Sequence, residues 1–96
     1  PQAADFAVTG LEIDYPQKFA ELHHRQIMGT LLGEGLERAS FGDIVTDGKW
    51  WQVVVANQMA RFVRERIDHV GKIKVKWKPI SLEELIGNSY QQPFRH

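Results

Sequence analysis

The sequence contains no cysteine, which excludes disulfides, thiolate nucleophiles and cysteine-based zinc sites together and is compatible with a reducing compartment. No apolar run approaches the roughly 20 residues that a membrane-spanning helix requires, and the N-terminus lacks the basic and apolar stretches of a secretory signal. Neither a membrane partner nor export is expected. Net charge is lacking as well, since 12 Lys and Arg side chains balance 12 Asp and Glu.

What is present is the material of one ordinary globular domain. A chain of 96 residues can bury one useful core but not two, because a compact unit needs roughly 100 residues. It begins at Pro1 and ends in a polar, aromatic-spotted stretch. The expected organisation is a single α+β domain over residues 1–86 and a polar tail or linker over 87–96, the whole being a fragment of a longer protein.

The neutral total hides an asymmetry. Residues 1–48 hold 3 basic and 8 acidic side chains, whereas residues 49–96 hold 9 basic and 4 acidic. One surface can therefore carry a positive field that attracts a polyanion.

Hydrophobic periodicity supplies the elements. Within residues 6–15, Leu11, Ile13 and Tyr15 alternate with Glu12 and Asp14, which predicts a first strand. The segment from Pro16 to Leu22 has no clear period. From His23 to Glu34, Ile27, Met28, Leu31 and Leu32 recur at helical spacing before the Gly33-Glu34-Gly35 stop. Phe41–Thr46 and Lys49–Ala56 flank Asp47-Gly48, the signature of a two-residue hairpin turn. Pairing Thr46 with Lys49 would put Ile44, Trp51, Val53 and Val55 on a core face. Phe41, Asp43, Val45, Trp50, Gln52 and Val54 would share the other face.

Asn57 is a suitable N-cap for a second helix carrying Met59, Phe62, Val63, Ile67 and Val70, stopped by Gly71. Lys72 to Lys78 alternates without exception, with Ile73, Val75 and Trp77 inward and four lysines outward, and predicts a fourth strand. Ser81-Leu82-Glu83-Glu84 has capping-box spacing and predicts a short helical turn. The order βαββαβ is that of a ferredoxin-like, or RRM-like, plait: a four-stranded antiparallel sheet with two helices on one face and the other face open.

The lysine row Lys72, Lys74, Lys76, Lys78 is the first candidate site. Its ammonium groups would repeat at roughly 7 Å along the open face, near the spacing of successive phosphates. The competing reading is protection of an edge strand, with Glu12 and Asp14 partly neutralising the row. Trp50, with Phe41 and Val45, is a candidate stacking platform for an unpaired base. Its competing role is contact with a second domain or with the C-terminal tail. The basic-glycine-aromatic signature of RNA-recognition motifs is absent from the third strand, which reads Lys49-Trp50-Trp51-Gln52-Val53-Val54-Val55.

Other constellations are weaker. Arg61 with Glu65 and Arg64 with Asp68 have the spacing of surface ion pairs. His23, His24, His69 and His96 include no pair at i,i+4, so no metal site is expected. No nucleophile motif or phosphate loop accompanies His24, so no enzymatic activity and no catalytic residue are expected. Gly29 and Gly33, one turn apart in the first helix, predict something close to the backbone, either tight packing on the sheet, which is the preferred reading, or a nucleic-acid backbone approaching the helix.

At His24-Arg25, Gly29, Leu32-Gly33-Glu34-Gly35-Leu36, Arg38 and Phe41-Gly42-Asp43-Ile44-Val45 the sequence resembles the YlmH family of bacterial RNA-binding proteins. The likeness continues through Gln52-Val53-Val54-Val55, Val70-Gly71-Lys72-Ile73-Lys74-Val75-Lys76 and Ile80-Ser81-Leu82-Glu83-Glu84, covering most of residues 11–86. The resemblance implies the middle, RNA-recognition-like module of such a protein, without the companion domain related to the S-four ribosomal protein. It further implies a cytoplasmic partner of the large ribosomal subunit that contacts rRNA or peptidyl-tRNA in stalled-translation quality control, and a gene near those for cell division. His24, Arg25 and Arg38 match the family pattern and join the four lysines and Trp50 as candidate RNA contacts. No cofactor is implied. The rival expectation is a protein-interaction or spacer module packed on flanking domains of the same chain, with RNA bound elsewhere.

Overall fold

The computed structural model describes residues 8–85; the expected tail at 87–96 lies outside the described residues. The elements are β1 (Val8–Asp14), α1 (His24–Gly33), β2 (Phe41–Thr46), β3 (Trp51–Ala56), α2 (Asn57–Arg66), β4 (His69–Val70), β5 (Ile73–Lys74) and β6 (Lys76–Ile80), with short 3-10 turns at Arg38–Ser40 and Leu82–Glu84. β2, β3, β1 and β6 form, in that spatial order, an antiparallel four-stranded sheet. Ile27 and Leu31 of α1 and Val63 of α2 share one buried cluster with Leu11, Ile13, Val53, Val55 and Trp77 of the sheet. Both helices therefore cover the same face, which is the expected α+β plait.

Alternation places the core as anticipated. Ile13 lies between Trp51 on β3 and Trp77 on β6, and Leu11 opposite Val53. On the other face Val45, Gln52, Glu12 and Lys78 form one cross-strand row, because paired residues share a side. α1 ends in a Schellman motif: Gly35 (φ +105) donates to the Leu32 carbonyl and Leu36 to that of Leu31, both at 3.1 Å. The positive φ there explains the glycine.

Four local expectations are corrected. Thr46 pairs with Trp51, not Lys49, so the β2–β3 connection is the four-residue loop Asp47–Trp50. Asp47 Oδ1 accepts the N–H groups of Lys49 and Trp50 at 2.9 Å, and Gly48 has φ +95. A shift of two residues leaves the β3 faces unchanged, which is why its core residues were still read correctly. Second, the register slips between Phe41 and Ile44, a bulge that turns Phe41 into the core instead of the open face.

Third, α2 stops at Arg66, and Ile67 is extended (φ −105, ψ 101). The buried Trp77 indole N–H donates to the Ile67 carbonyl at 2.7 Å, and the Val75 N–H to the Asp68 carbonyl at 2.9 Å. These bonds occupy carbonyls that a longer helix would use internally. Gly71 (φ +60) serves the β4–β5 turn rather than a helix stop. Fourth, the expected Lys72–Lys78 strand is interrupted at Val75: β5 pairs with β4, and β6 with β1.

Candidate nucleic-acid interface

The break at Val75 divides the lysine row. Lys72 lies in the β4–β5 turn and Lys74 on β5, whereas Lys76 and Lys78 lie on the edge strand β6, opposite Asp14 and Glu12 of β1. All four are exposed, and none enters a salt bridge within the described residues. Glu12 accepts a 2.9 Å hydrogen bond from Gln52 Nε2. The open face is thus a mixed polar surface rather than a straight phosphate track.

That face is also partly covered. The chain leaving β6 makes a 3-10 turn closed by Glu84, whose Oε1 accepts the Ser81 N–H at 2.9 Å. This bond from Ser81 holds the Glu84 carboxyl below its ordinary pKa. Leu85 then returns over Gly10 and is buried, as is Val54, the cross-strand neighbour of Gly10. The C-terminal tail expected as an alternative partner of Trp50 begins at residue 87, outside the described residues, and Leu85 covers Gly10 rather than Trp50.

Two grooves flank Tyr15 at the end of β1. One is lined by Asp14, Tyr15, Asp68, Lys74, Val75 and Lys76, so the fold does unite the two middle lysines of the row. Asp68 sits there because the chain has left helical spacing. Its carboxylate is 3.1 Å from His69 Nδ1 and is held below its usual pKa by that hydrogen bond, with Lys74 contributing charge. The expected Arg64–Asp68 pair consequently does not form, whereas Arg61–Glu65 does, at 2.9 Å. The second groove lies between the loop after β1 and the β2–β3 turn and includes Tyr15, Lys18, Phe19, Glu21 and Lys49. Burial and the Glu21 charge raise the Tyr15 pKa.

The remaining candidates are dispersed. Trp50 is half-buried in the turn, outside β3, with its N–H on Asp47 and its carbonyl accepting the Thr46 hydroxyl at 2.6 Å. Arg38 donates to the Phe41 carbonyl at 3.0 Å, and its guanidinium lies 4.8 Å from the centre of the Phe41 ring, so it fastens the entry to β2. His24 and Arg25 are exposed on the first turn of α1. The β4–β5 turn approaches the neighbouring Gln26, a Cβ built on Gly71 lying 3.6 Å from its amide nitrogen. Gly29 and Gly33 face open space, contrary to the expected packing contact.

Residues missed by the sequence reading are Lys18, Phe19 and Lys49. The available signal was an aromatic beside a lysine in the one segment, Pro16 to Leu22, where no period assigned it to a core.

Fold and surface together define an α+β plait of the ferredoxin-like class, with lysines along one edge. The family model described as "Putative RNA-binding domain in YlmH" matches residues 1–84. The chain belongs to that family. It is 35% identical over 85 residues to the "Ribosome-associated protein quality control protein P2" of Bacillus subtilis (strain 168), covering 88% of this chain and 33% of that protein. This chain therefore spans about a third of that relative's length. The structure is similar to "Cell division protein ylmH from Streptococcus pneumoniae", with a TM-score of 0.67, 32% identity, and coverage of 90% of this chain and 53% of that one.

Proposed function

We propose that this domain binds RNA through the lysines of the β4–β5 hairpin and β6, as a module of a cytoplasmic ribosome-associated protein. It acts by binding, without cofactor or catalysis, and its RNA is rRNA or peptidyl-tRNA on the large ribosomal subunit during quality control of stalled translation. The observation that carries this reading is the set Lys72, Lys74, Lys76 and Lys78, exposed and without a salt bridge within the described residues, in a chain of an RNA-binding-domain family.

The coverage of Gly10 by Leu85 favours, as a second reading, a sheet face that packs on the protein's own flanking segments. The edge lysines stay accessible under either reading, so RNA binding itself separates the two. The test titrates the chain against fluorescent tRNA and rRNA fragments at two salt concentrations, beside a Lys74→Glu/Lys76→Glu variant. Binding should weaken with salt, with a log–log slope of roughly −0.7 to −0.9 per phosphate neutralised, and the double reversal should abolish it. A folded chain that binds neither RNA overturns the proposal and leaves the packing role.

A further inference from the structure

We propose that Phe19 and the cleft behind it form a second RNA contact, which stacks one unpaired base of a single-stranded segment while Lys18 and Lys49 hold the adjoining phosphates. This inference rests on the RNA-binding reading above and adds to it a preference for unpaired nucleotides.

Phe19 is 88% exposed, so it contributes almost nothing to the core and presents its ring to solvent. An isolated exposed side chain needs no explanation, but the backbone here is held in place. Phe19 and Ala20 N–H groups both donate to the Pro16 carbonyl at 3.0 Å, and the Gln17 N–H donates to the Tyr15 carbonyl at 2.8 Å. The loop is fastened across the sheet end to the β2–β3 turn, where the Lys49 carbonyl accepts Gln17 Nε2 at 2.7 Å and the Tyr15 hydroxyl at 3.3 Å. A ring carried on such a turn loses less freedom on binding than one on a loose loop.

The cleft between these two loops is a solvent-open surface groove of about 520 Å³. Two aromatic residues, Tyr15 and Phe19, and two lysines, Lys18 and Lys49, line it together with Glu21. Aromatic faces beside cations suit a stacked base joined to phosphates, and an acceptor carboxylate suits the N–H edge of a base. Tyr15 also lines the groove of Lys74 and Lys76. A strand lying on those lysines can thus pass the Tyr15 end of the sheet and reach Phe19. A duplex offers no free base face there.

The experiment measures binding of the full chain to a fluorescent short oligouridylate and to a blunt RNA duplex, for wild type, Phe19→Ala, Phe19→Leu, Phe19→Trp and Lys74→Glu/Lys76→Glu. Loss of one stacked base should weaken oligouridylate binding by about 5- to 100-fold in Phe19→Ala and Phe19→Leu. Phe19→Trp should retain it, and duplex binding should be unchanged in all three. The proposal is overturned if Phe19→Ala binds oligouridylate like wild type, if Phe19→Leu substitutes fully, or if single strand and duplex weaken equally. RNA binding lost in the double lysine variant but intact in Phe19→Ala would uphold the RNA-binding reading and remove this one. A wild type that binds neither probe removes both.

Discussion

Leu85 folds back over Gly10, where a Cβ built on the glycine would lie in ordinary contact, 3.5 Å, with Leu85 Cδ2 but only 3.0 Å from Ile80 Cγ1. The absence of a side chain in the middle of β1 leaves room for Ile80 on the neighbouring strand β6, and Leu85 packs beside it over the open face. Gly10→Val should therefore destabilise the domain by about 1–3 kcal/mol through overpacking, and Leu85→Ala by about 2 kcal/mol through lost burial. In the double variant the valine should cost less than it does alone, because Ile80 gains room to shift. Denaturant midpoints for the four proteins give the coupling, and strictly additive losses would show that the two sites do not share space.

Gly29 and Gly33 make the opposite case. Both are exposed in α1, a Cβ on either would meet nothing within 4 Å, and neither has a positive φ. Gly29→Ala and Gly33→Ala should each stabilise the domain by about 0.5–1 kcal/mol, since alanine lowers the entropy lost on helix formation. For a domain of this size that is a rise in Tm of roughly 2–8 °C. A fall in Tm would reveal a constraint on α1 that lies outside the described residues.

The β2–β3 turn should respond to acid. Hydrogen bonds from the Trp50 and Lys49 N–H groups hold the Asp47 carboxyl below its ordinary pKa. A group whose pKa is depressed by folding stabilises the fold above its unfolded pKa, and that contribution disappears as pH falls through the folded value. The turn should thus be firm at neutral pH and loosen only below about pH 4. Amide shifts of Lys49 and Trp50 followed by NMR should titrate together at a value under that of a free aspartate. Asp47→Asn, which keeps an acceptor oxygen, should flatten the titration. Amides that ignore pH in the wild type would mean that the carboxylate does not hold this turn.

The plait was legible because its signals are local. Ile13 alternates with Glu12 and Asp14, Ile27 and Leu31 recur at helical spacing, and Gly35 follows α1 where a left-handed residue is needed. Sheet faces survived even a wrong partner for Thr46, since a two-residue slip keeps every side chain on its side. The end of α2 was misread for a specific reason. Ile67 and Val70 keep a helical interval and are both buried, yet Ile67 is extended and Val70 lies on β4.

What the sequence by itself determined is therefore the kind and order of elements and which side of each is apolar, because these follow from a period of 2 or 3.6 along one segment. Only the tertiary structure decided where the cations go. The Trp77–Ile67 hydrogen bond accompanies the end of α2, β5 pairs with β4 rather than β1, and the regular lysine row becomes two pairs. The same folding gathers Lys18, Phe19 and Lys49 on one side of Tyr15, and Lys74 and Lys76 on the other. Which strand pairs with which, and where a loop is fastened, depends on hydrogen bonds between residues far apart in the chain, such as Gln17 with Lys49. No period along one segment encodes that pairing.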